Sequence, residues 1–139
     1  MTILYIDDDP EDREFFQEAL SEIHPSPVCI TAKDGAEGLR LLNELVVLPD
    51  FIFADVNMPI MSGKQFLIEI KRTPAFNFIP VIIYSTTNYP AEAREYQRLG
   101  AHKVLVKPAS MRSIVGLVRS VIQETEADPT PADHLITGG

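Results

Sequence analysis

The chain has 139 residues, of which 45% are hydrophobic, and its formal net charge is −8 at pH 7. This length and this hydrophobic content predict one globular domain with a sizeable core. The acidic balance argues against a nucleic-acid-binding surface, because phosphate contacts need clustered Lys and Arg.

Three further features of the sequence predict a cytoplasmic protein. Residues 1–6 lack the basic start and the small-residue cleavage site of a secretory signal peptide. No apolar run approaches the roughly 20 residues that a transmembrane helix needs, so no membrane insertion is expected. Cys29 is the single cysteine, which excludes an internal disulfide and suits a reducing compartment.

Residues 1–48 predict two strands, each followed by a helix. The first strand is residues 1–6, and Asp9 and Pro10 then predict a helix start, with Asp9 as N-cap and Pro10 as the first helical residue. The second strand is residues 28–32, and residues 34–37 resemble a capping box that opens the second helix. The apolar faces of these two helices are predicted to contain Phe16, Ala19, Leu20 and Ile23 in the first, and Leu39, Leu42, Leu45 and Val46 in the second.

The third strand is the most apolar stretch so far, because residues 51–54 are all hydrophobic and end abruptly in Asp55. Such a run is typical of a buried strand in a parallel sheet. Residues 62–65 predict a capping box for the third helix, and Pro74 ends that helix. Its inner face is predicted to hold Phe66, Leu67 and Ile70.

The rest of the chain repeats the pattern twice. Residues 81–84 predict a fourth strand that leads into Ser85, and residues 104–106 predict a fifth that leads into Lys107. A fourth helix with a thin apolar stripe lies between them, and Gly100 caps its end. The stripe of the fourth helix is Ala93, Tyr96 and Leu99, and the fifth helix, capped by Ser110, has the face Ile114, Leu117, Val118, Val121 and Ile122.

Five strands that alternate with five helices predict an α/β fold: a doubly wound, five-stranded parallel sheet of flavodoxin-like (βα)5 type. The strand order 2-1-3-4-5 is the usual solution at this size. The domain is predicted to comprise residues 1–124. Residues 125–139 read as an acidic, proline-containing tail outside the core, and no fused output domain is expected.

Charged and hydroxyl side chains follow the strands at the points where the strands end. Asp7 and Asp8 follow the first strand, Asp55 ends the third, Ser85 ends the fourth and Lys107 follows the fifth. The carboxyl ends of parallel strands lie along one edge of the sheet, so these side chains are expected to converge. Neighbouring carboxylates repel one another and require a cation, and oxygen ligands of this kind suit Mg²⁺.

The motifs at these strand ends resemble the receiver domain of bacterial response regulators, the phosphorylated components of two-component signalling systems. They are residues 6–10 (Ile-Asp-Asp-Asp-Pro), residues 55–59 (Asp-Val-Asn-Met-Pro), Ser85 with Thr86, and Lys107 with Pro108. The resemblance extends from residue 1 to about residue 124. Each motif alone is weak, whereas four motifs in the correct order and spacing are specific.

The resemblance implies that Asp55 is a phosphoacceptor. A sensor histidine kinase or a phosphotransfer protein would supply the phosphoryl group, while Ser85 and Lys107 would bind two of its oxygens. The transfer and the later loss of the phosphoryl group would be catalysed by the receiver domain itself, which is therefore not expected to be a turnover enzyme. These implied roles agree with the chemistry of phosphoryl transfer, which requires that the reactants are positioned and that charge on the equatorial oxygens is neutralised.

The resemblance also implies a metal site and a peptide isomer. Asp8, Asp55 and the backbone carbonyl of Asn57 would bind Mg²⁺ directly, and Asp7 would hold a metal-bound water. The bond between Lys107 and Pro108 would be cis, as is typical of the family, because this isomer costs little before proline.

The residue three positions before Lys107 departs from the family pattern. Tyr or Phe usually stands there and moves inward when the hydroxyl at the position of Ser85 moves, whereas this chain has Val104. The usual switch of hydroxyl and ring therefore cannot operate in its common form. The surface of the fourth helix, fifth strand and fifth helix is predicted to bind an unidentified downstream protein or a second copy of the chain.

Two other functions remain open from the sequence. One is a receiver-shaped binding module that acts without phosphorylation, although such a module need not retain an unfavourable cluster of charges. The other is a hydrolase that forms an aspartyl-phosphate. Hydrolases of that kind carry an acid two residues after the nucleophile, where this chain has Asn57. A flavodoxin-like nucleotide-binding protein is less favoured, because the strand-end loops lack a glycine-rich phosphate cradle.

Overall fold

The computed structural model describes residues 1–86 and 89–127, with side chains to residue 124. It contains one parallel sheet with the strand order β2-β1-β3-β4-β5, which confirms the predicted topology. The strands are β1 (Thr2–Ile6), β2 (Val28–Ala32), β3 (Phe51–Asp55), β4 (Val81–Ser85) and β5 (Lys103–Val106). The helices are α1 (Pro10–Ser21), α2 (Gly35–Glu44), α3 (Gly63–Arg72), α4 (Pro90–Arg98) and α5 (Met111–Ala127).

Helices cover both faces of the sheet. Successive strand residues point to opposite sides, so a single strand contributes side chains to both of the resulting cores. Leu4 and Ile6 of β1 pack into the core on the side of α2, α3 and α4. Ile3 and Tyr5 pack into the core on the side of α1 and α5. All five residues of β3 and of β4 are buried, as expected for the central strands of a parallel sheet.

The predicted helix starts are confirmed at their capping residues. The side chain of Asp9 accepts a hydrogen bond from the backbone N–H of Glu11, and Pro10 begins α1. Ser62 and Gln65 form the complete capping box at α3. At α2 the side chain of Asp34 caps the helix. These bonds satisfy backbone N–H groups that have no partner within the helix.

Two helix ends differ from the predictions. Helix α2 ends at Glu44, so the prediction that Val46 faces the core is wrong, and this side chain is 99% exposed. Two β-branched residues and Pro49 follow the last turn of α2 and disfavour its continuation. Helix α5 continues to Ala127, three residues beyond the predicted domain end, because Thr125 to Ala127 contain no helix breaker. The remainder of the predicted tail lies outside the described residues.

None of the helices in the described part of the chain combines the length and the apolar character that crossing a bilayer requires.

Candidate functional site

Three carboxylates meet where β1 and β3 end. One oxygen each from Asp7, Asp8 and Asp55 lies within 4.8 Å of the others. The register explains this meeting, because Ile6 of β1 is paired with Ala54 of β3, so the residues that follow emerge at the same edge. Asp7 and Asp55 are buried, whereas Asp8 is exposed. The predicted convergence of these three acids is confirmed.

Asp7 is held in place through both of its carboxylate oxygens. The backbone N–H of Asp9 donates to Oδ1 at 3.0 Å, and the hydroxyl of Tyr5 donates to Oδ2 at 2.8 Å. Burial and the negative charge of Asp7 together raise the pKa of Tyr5, which therefore stays a hydrogen-bond donor. The ring of Tyr5 stacks on Phe16 with centroids 4.1 Å apart. Tyr5 is thus a supporting residue of the site that sequence reasoning did not identify.

Lys107, the residue directly after β5, contacts the acid cluster. Its Nζ lies 2.7 Å from Oδ2 of Asp7, 3.1 Å from Oδ2 of Asp12 and 3.4 Å from Oδ1 of Asp55. Burial opposes the charge on Lys107, but the hydrogen bond and charge of Asp7, with the charge of Asp55, outweigh it and raise the pKa of the lysine. Lys107 is therefore a cation fixed among carboxylates. Asp12, an acid in the first turn of α1, was not among the predicted site residues.

The position of Lys107 is also fixed through its backbone. Its N–H donates to the carbonyl oxygen of Ser85 at 2.7 Å, which joins the end of β5 to the end of β4. Ser85 is buried, at 6% exposure, and its strand lies directly beside β3. The structure therefore brings the hydroxyl-bearing strand end and the lysine to the edge where the acids lie.

The ionised form of the Asp55 carboxyl group is disfavoured by its surroundings. Burial raises its pKa to about 6, Asp7 adds to the rise, and Lys107 opposes it without cancelling it. One lysine thus does not neutralise the cluster, and a divalent cation would favour the ionised form of Asp55. Asp7, Asp8 and Asp55 offer only oxygen atoms, which is the donor type that Mg²⁺ prefers. The residues present therefore fit a magnesium site.

Gly63 permits the close approach of α3 to the end of β3. A Cβ atom at this position would lie 2.3 Å from the carbonyl oxygen of Asp55, which is far inside van der Waals contact. The N–H of Gly63 donates to the carbonyl of Val56 at 3.0 Å. A glycine is therefore required here for the backbone around Asp55 to keep its position.

The remaining predicted residues lie around this centre. Asn57 is exposed in the loop two residues after β3. Val104 is half-buried in β5 and lines a small open pocket of about 20 Å³ together with Ser85 and Tyr89. That volume corresponds to about one water molecule. Val104 and Ser85 thus line the same pocket, although valine supplies no ring for the predicted switch, and the register pairs Val104 with Ile83 of β4.

The predicted cis bond before Pro108 is wrong for this structure. Among the described residues the cis peptide bond joins His24 to Pro25, and the bond between Lys107 and Pro108 is not cis. The sequence does not determine this isomer, because the two forms of an X–Pro bond differ by only about 0.5–1 kcal/mol.

The metal-free protein is expected to become more stable when Asp55 is replaced by Asn. The pKa of about 6 lies above the ordinary value of 3.8, so between these two pH values the folded state holds a proton that the unfolded state has released. The stabilisation that comes from protonated Asp55 is fully present below pH 3.8, and it is lost as the pH rises through 6. A shift of this size corresponds to at most about 3 kcal/mol, so we expect the variant to be about 1–3 kcal/mol more stable at neutral pH.

Urea unfolding of the parent and of Asp55→Asn in the presence of a chelator measures this difference. The advantage of the variant should shrink as pH falls below 6, where the parent takes up its proton. A variant that is less stable than the parent in mildly alkaline buffer would contradict the raised pKa.

Comparisons with known proteins agree with the geometry of the site. A family model described as the response regulator receiver domain matches residues 3–119. The probable transcriptional regulator ycf27 of Guillardia theta is 28% identical over 137 residues, which cover 99% of this chain and 51% of that protein. The two-component response regulator ARR7 of Arabidopsis thaliana is 34% identical, covering 68% of this chain and 45% of that protein. The chain thus spans about half the length of these curated relatives or less.

Two solved structures match almost throughout their own chains. The phosphorylated cyanobacterial phytochrome response regulator RcpA superposes with a TM-score of 0.80 and 26% identity, covering 94% of this chain and 97% of that one. The chemotaxis protein CheY4 of Vibrio cholerae gives a TM-score of 0.75 and 28% identity, covering 86% and 97%. The family model covers most of the chain, and the fold agrees with it. The chain therefore belongs to the response regulator receiver domain family of two-component signal transduction.

Proposed function

We propose that this receiver domain accepts a phosphoryl group on Asp55. The observation that carries the proposal is the arrangement around this carboxylate: an oxygen each of Asp7 and Asp8 lies within 4.8 Å of an oxygen of Asp55, and the Nζ of Lys107 lies 3.4 Å from Asp55. An oxygen of Asp55 attacks the phosphorus, and the bond from phosphorus to the donor atom breaks with its electron pair. The product is an acyl phosphate on Asp55 and a free leaving group, an imidazole when the donor is a phosphohistidine.

The residues around Asp55 have separate roles in this reaction. Lys107 pairs with one phosphoryl oxygen and the hydroxyl of Ser85 donates to another, which neutralises charge that develops in the transition state. Asp8, Asp55 and the carbonyl of Asn57 would hold Mg²⁺, and Asp7 would orient a metal-bound water. When bound, the ion supplies positive charge against the phosphoryl oxygens. Tyr5 keeps Asp7 in place through its hydrogen bond.

The phosphodonor is proposed to be a sensor histidine kinase or a phosphotransfer protein. Relatives include the hybrid signal transduction histidine kinase D of Dictyostelium discoideum and the chemotaxis protein CheV3 of Helicobacter pylori. The solved relative RcpA is described as phosphorylated, which supports the same chemistry here. We propose a cytoplasmic location, where such donors and a reduced Cys29 are expected.

The output of phosphorylation is proposed to pass through the surface of α4, β5 and α5. Tyr96 is the one buried side chain of α4, with Ala93 and Leu99 only half-buried, so this helix is held by few core contacts. A partner protein, or a second copy of the chain, would bind there. Amide exchange of α4 and β5 with and without beryllofluoride tests this, and equal exchange in both states would contradict it.

The phosphoacceptor function is tested directly with a small phosphodonor. Incubation of the protein with acetyl phosphate and Mg²⁺ should add the mass of one phosphoryl group, and a chelator should prevent the addition. An unmodified protein would support the phosphorylation-independent binding module instead. Steady release of phosphate from unrelated phosphate esters would support the hydrolase.

Mg²⁺ is expected to stabilise the folded protein through the acid cluster. A ligand that binds only the folded state adds about 1.4 kcal/mol when its concentration is ten times its dissociation constant. Replacing Asp8 by Asn removes an exposed ligand and should abolish most of this gain. Thermal unfolding with and without Mg²⁺ measures the effect.

Asp9→Asn is the matched control for Asp8→Asn. It removes the same charge from the neighbouring residue, and Asn is as good an N-cap as Asp, so α1 should be unaffected. The control should retain the stabilisation by Mg²⁺. If both variants lose it equally, the effect is one of general charge and Asp8 is not a ligand.

A further inference from the structure

Asp12 lies at the site although no motif of the sequence includes it. Its Oδ2 is 3.1 Å from the Nζ of Lys107, closer than Oδ1 of Asp55 at 3.4 Å. The distance to Asp12 is that of an ordinary hydrogen bond, and the distance to Asp55 is longer than one. The ammonium of Lys107 therefore forms hydrogen bonds with Asp7 and Asp12 and a longer ion pair with the proposed phosphoacceptor.

The first turn of α1 is fixed in the position that permits this contact. Asp9 caps the helix, and the guanidinium of Arg13 donates to the carbonyl oxygen of Asp7 at 2.8 Å. This bond ties the start of α1 to the end of β1. Asp12 lies between these two anchored residues in the sequence, with its side chain 42% exposed, while the side chain of Lys107 is 12% exposed. The contact is therefore positioned by two independent hydrogen bonds of its neighbours.

We propose that Asp12 is a positioning residue that competes with Asp55 for Lys107 and thereby slows phosphorylation. The inference rests on the proposed phosphoacceptor function. A lysine ammonium has three N–H donors, and two of them are engaged by Asp7 and Asp12. A phosphoryl oxygen on Asp55 would compete with Asp12 for the ammonium and draw it toward Asp55. Asp7 is buried and has other partners that hold it, so the contact to Asp12 is the one that must loosen.

Replacing Asp12 by Asn should therefore speed the reaction. It removes one negative charge beside the incoming anionic phosphodonor and leaves Lys107 free to move toward Asp55. Because the Asp12 side chain is half-exposed, we expect a moderate increase of about 2- to 5-fold in the rate constant for phosphorylation by acetyl phosphate. Asp12→Glu, which keeps the charge, should restore a rate near that of the parent.

Glu11→Gln is the matched control. Both acids lie in the first turn of α1, so both substitutions remove one charge from the same helix end. Within residues 1–86 and 89–124, the carboxylates at ion-pair distance from Lys107 are Asp7, Asp12 and Asp55, so Glu11 lacks the contact. Its variant should react at nearly the parent rate.

The experiment measures initial rates of phosphorylation of the full chain across a range of acetyl phosphate concentrations at saturating Mg²⁺. Phosphate-affinity gels separate the phosphorylated from the unphosphorylated protein. Urea unfolding of each variant verifies that it is folded. A faster Asp12→Asn with parent-like Glu11→Gln and Asp12→Glu supports the inference. Equal rates for Asp12→Asn and Glu11→Gln, or a slower Asp12→Asn, would overturn it. If no variant and no parent protein takes phosphate, the proposed function itself fails.

Discussion

Replacement of Asp55 by Asn is expected to abolish phosphorylation by acetyl phosphate. The amide is a far weaker nucleophile than a carboxylate and cannot form the acyl phosphate. The loss should be at least about 100-fold, the scale expected when a covalent nucleophile is removed. Intact mass spectrometry after incubation with Mg²⁺ measures it, with the parent protein as reference.

A folding defect cannot account for this loss, because the same variant is expected to be more stable than the parent without metal. Asp34→Asn provides the matched control. Asp34 is also a buried carboxylate, but it caps α2 through a bond that Asn can also accept. This control should be phosphorylated like the parent. Phosphorylation of Asp55→Asn at the parent level would place the phosphoacceptor elsewhere.

Replacement of Lys107 by Ala is expected to weaken both the fold and the reaction. It removes the cation that contacts three carboxylates, two of which are buried. Breaking a buried ion pair costs about 3–5 kcal/mol, and the slight exposure of Lys107 suggests a loss of about 2–4 kcal/mol in chelator at neutral pH. Phosphorylation should slow by about 10- to 100-fold, because one charge that stabilises the transition state is absent.

The pH dependence of this loss identifies its cause. Without Lys107 the pKa of Asp55 should rise above its present value of about 6, because the lysine lowers it. The stability deficit should therefore be largest in alkaline buffer and shrink on acidification, and Mg²⁺ should also reduce it. Lys64→Ala is the control, since its ion pair with Glu95 is exposed and should contribute little to the free energy of unfolding. A Lys107→Ala variant as stable as Lys64→Ala would contradict the account.

The elements and the centre of the site could be predicted from the sequence for one physical reason. Alternation of apolar strands with amphipathic helices forces a parallel sheet, and its carboxyl ends share one edge. Asp7 and Lys107 directly follow strands and Asp55 ends one, so their meeting can be predicted without knowledge of side-chain geometry. The register that pairs Ile6 with Ala54 confirms it.

The supporting residues could not be predicted in the same way. Tyr5 reads as an ordinary apolar strand residue, and its hydroxyl reaches Asp7 only because both lie on one side of β1. Asp12 reads as a favourable acid in a first helical turn, which it also is. Its contact with Lys107 spans 95 positions in the sequence and depends on how α1 packs. The need for glycine at position 63 is likewise visible only in the structure, where a Cβ atom would clash with the carbonyl oxygen of Asp55.

The incorrect expectation for Val46 has a different cause. Helical periodicity identifies which face a residue would occupy, but it does not say where the helix stops. Helix α2 ends at Glu44, because the backbone of Leu45 is extended and no longer helical. The two valines that follow are exposed, at 99% for Val46 and 72% for Val47.

The central claim is that Asp55, among the four acids at this edge of the sheet, forms the covalent bond to phosphorus. Borohydride reduction of the phosphorylated protein converts an aspartyl-phosphate to homoserine, and peptide mass spectrometry then identifies its position. The account predicts homoserine at residue 55 and unchanged aspartate at Asp7, Asp8 and Asp12. Homoserine at one of those three positions, or a phosphorylated protein in which residue 55 resists reduction, would contradict it.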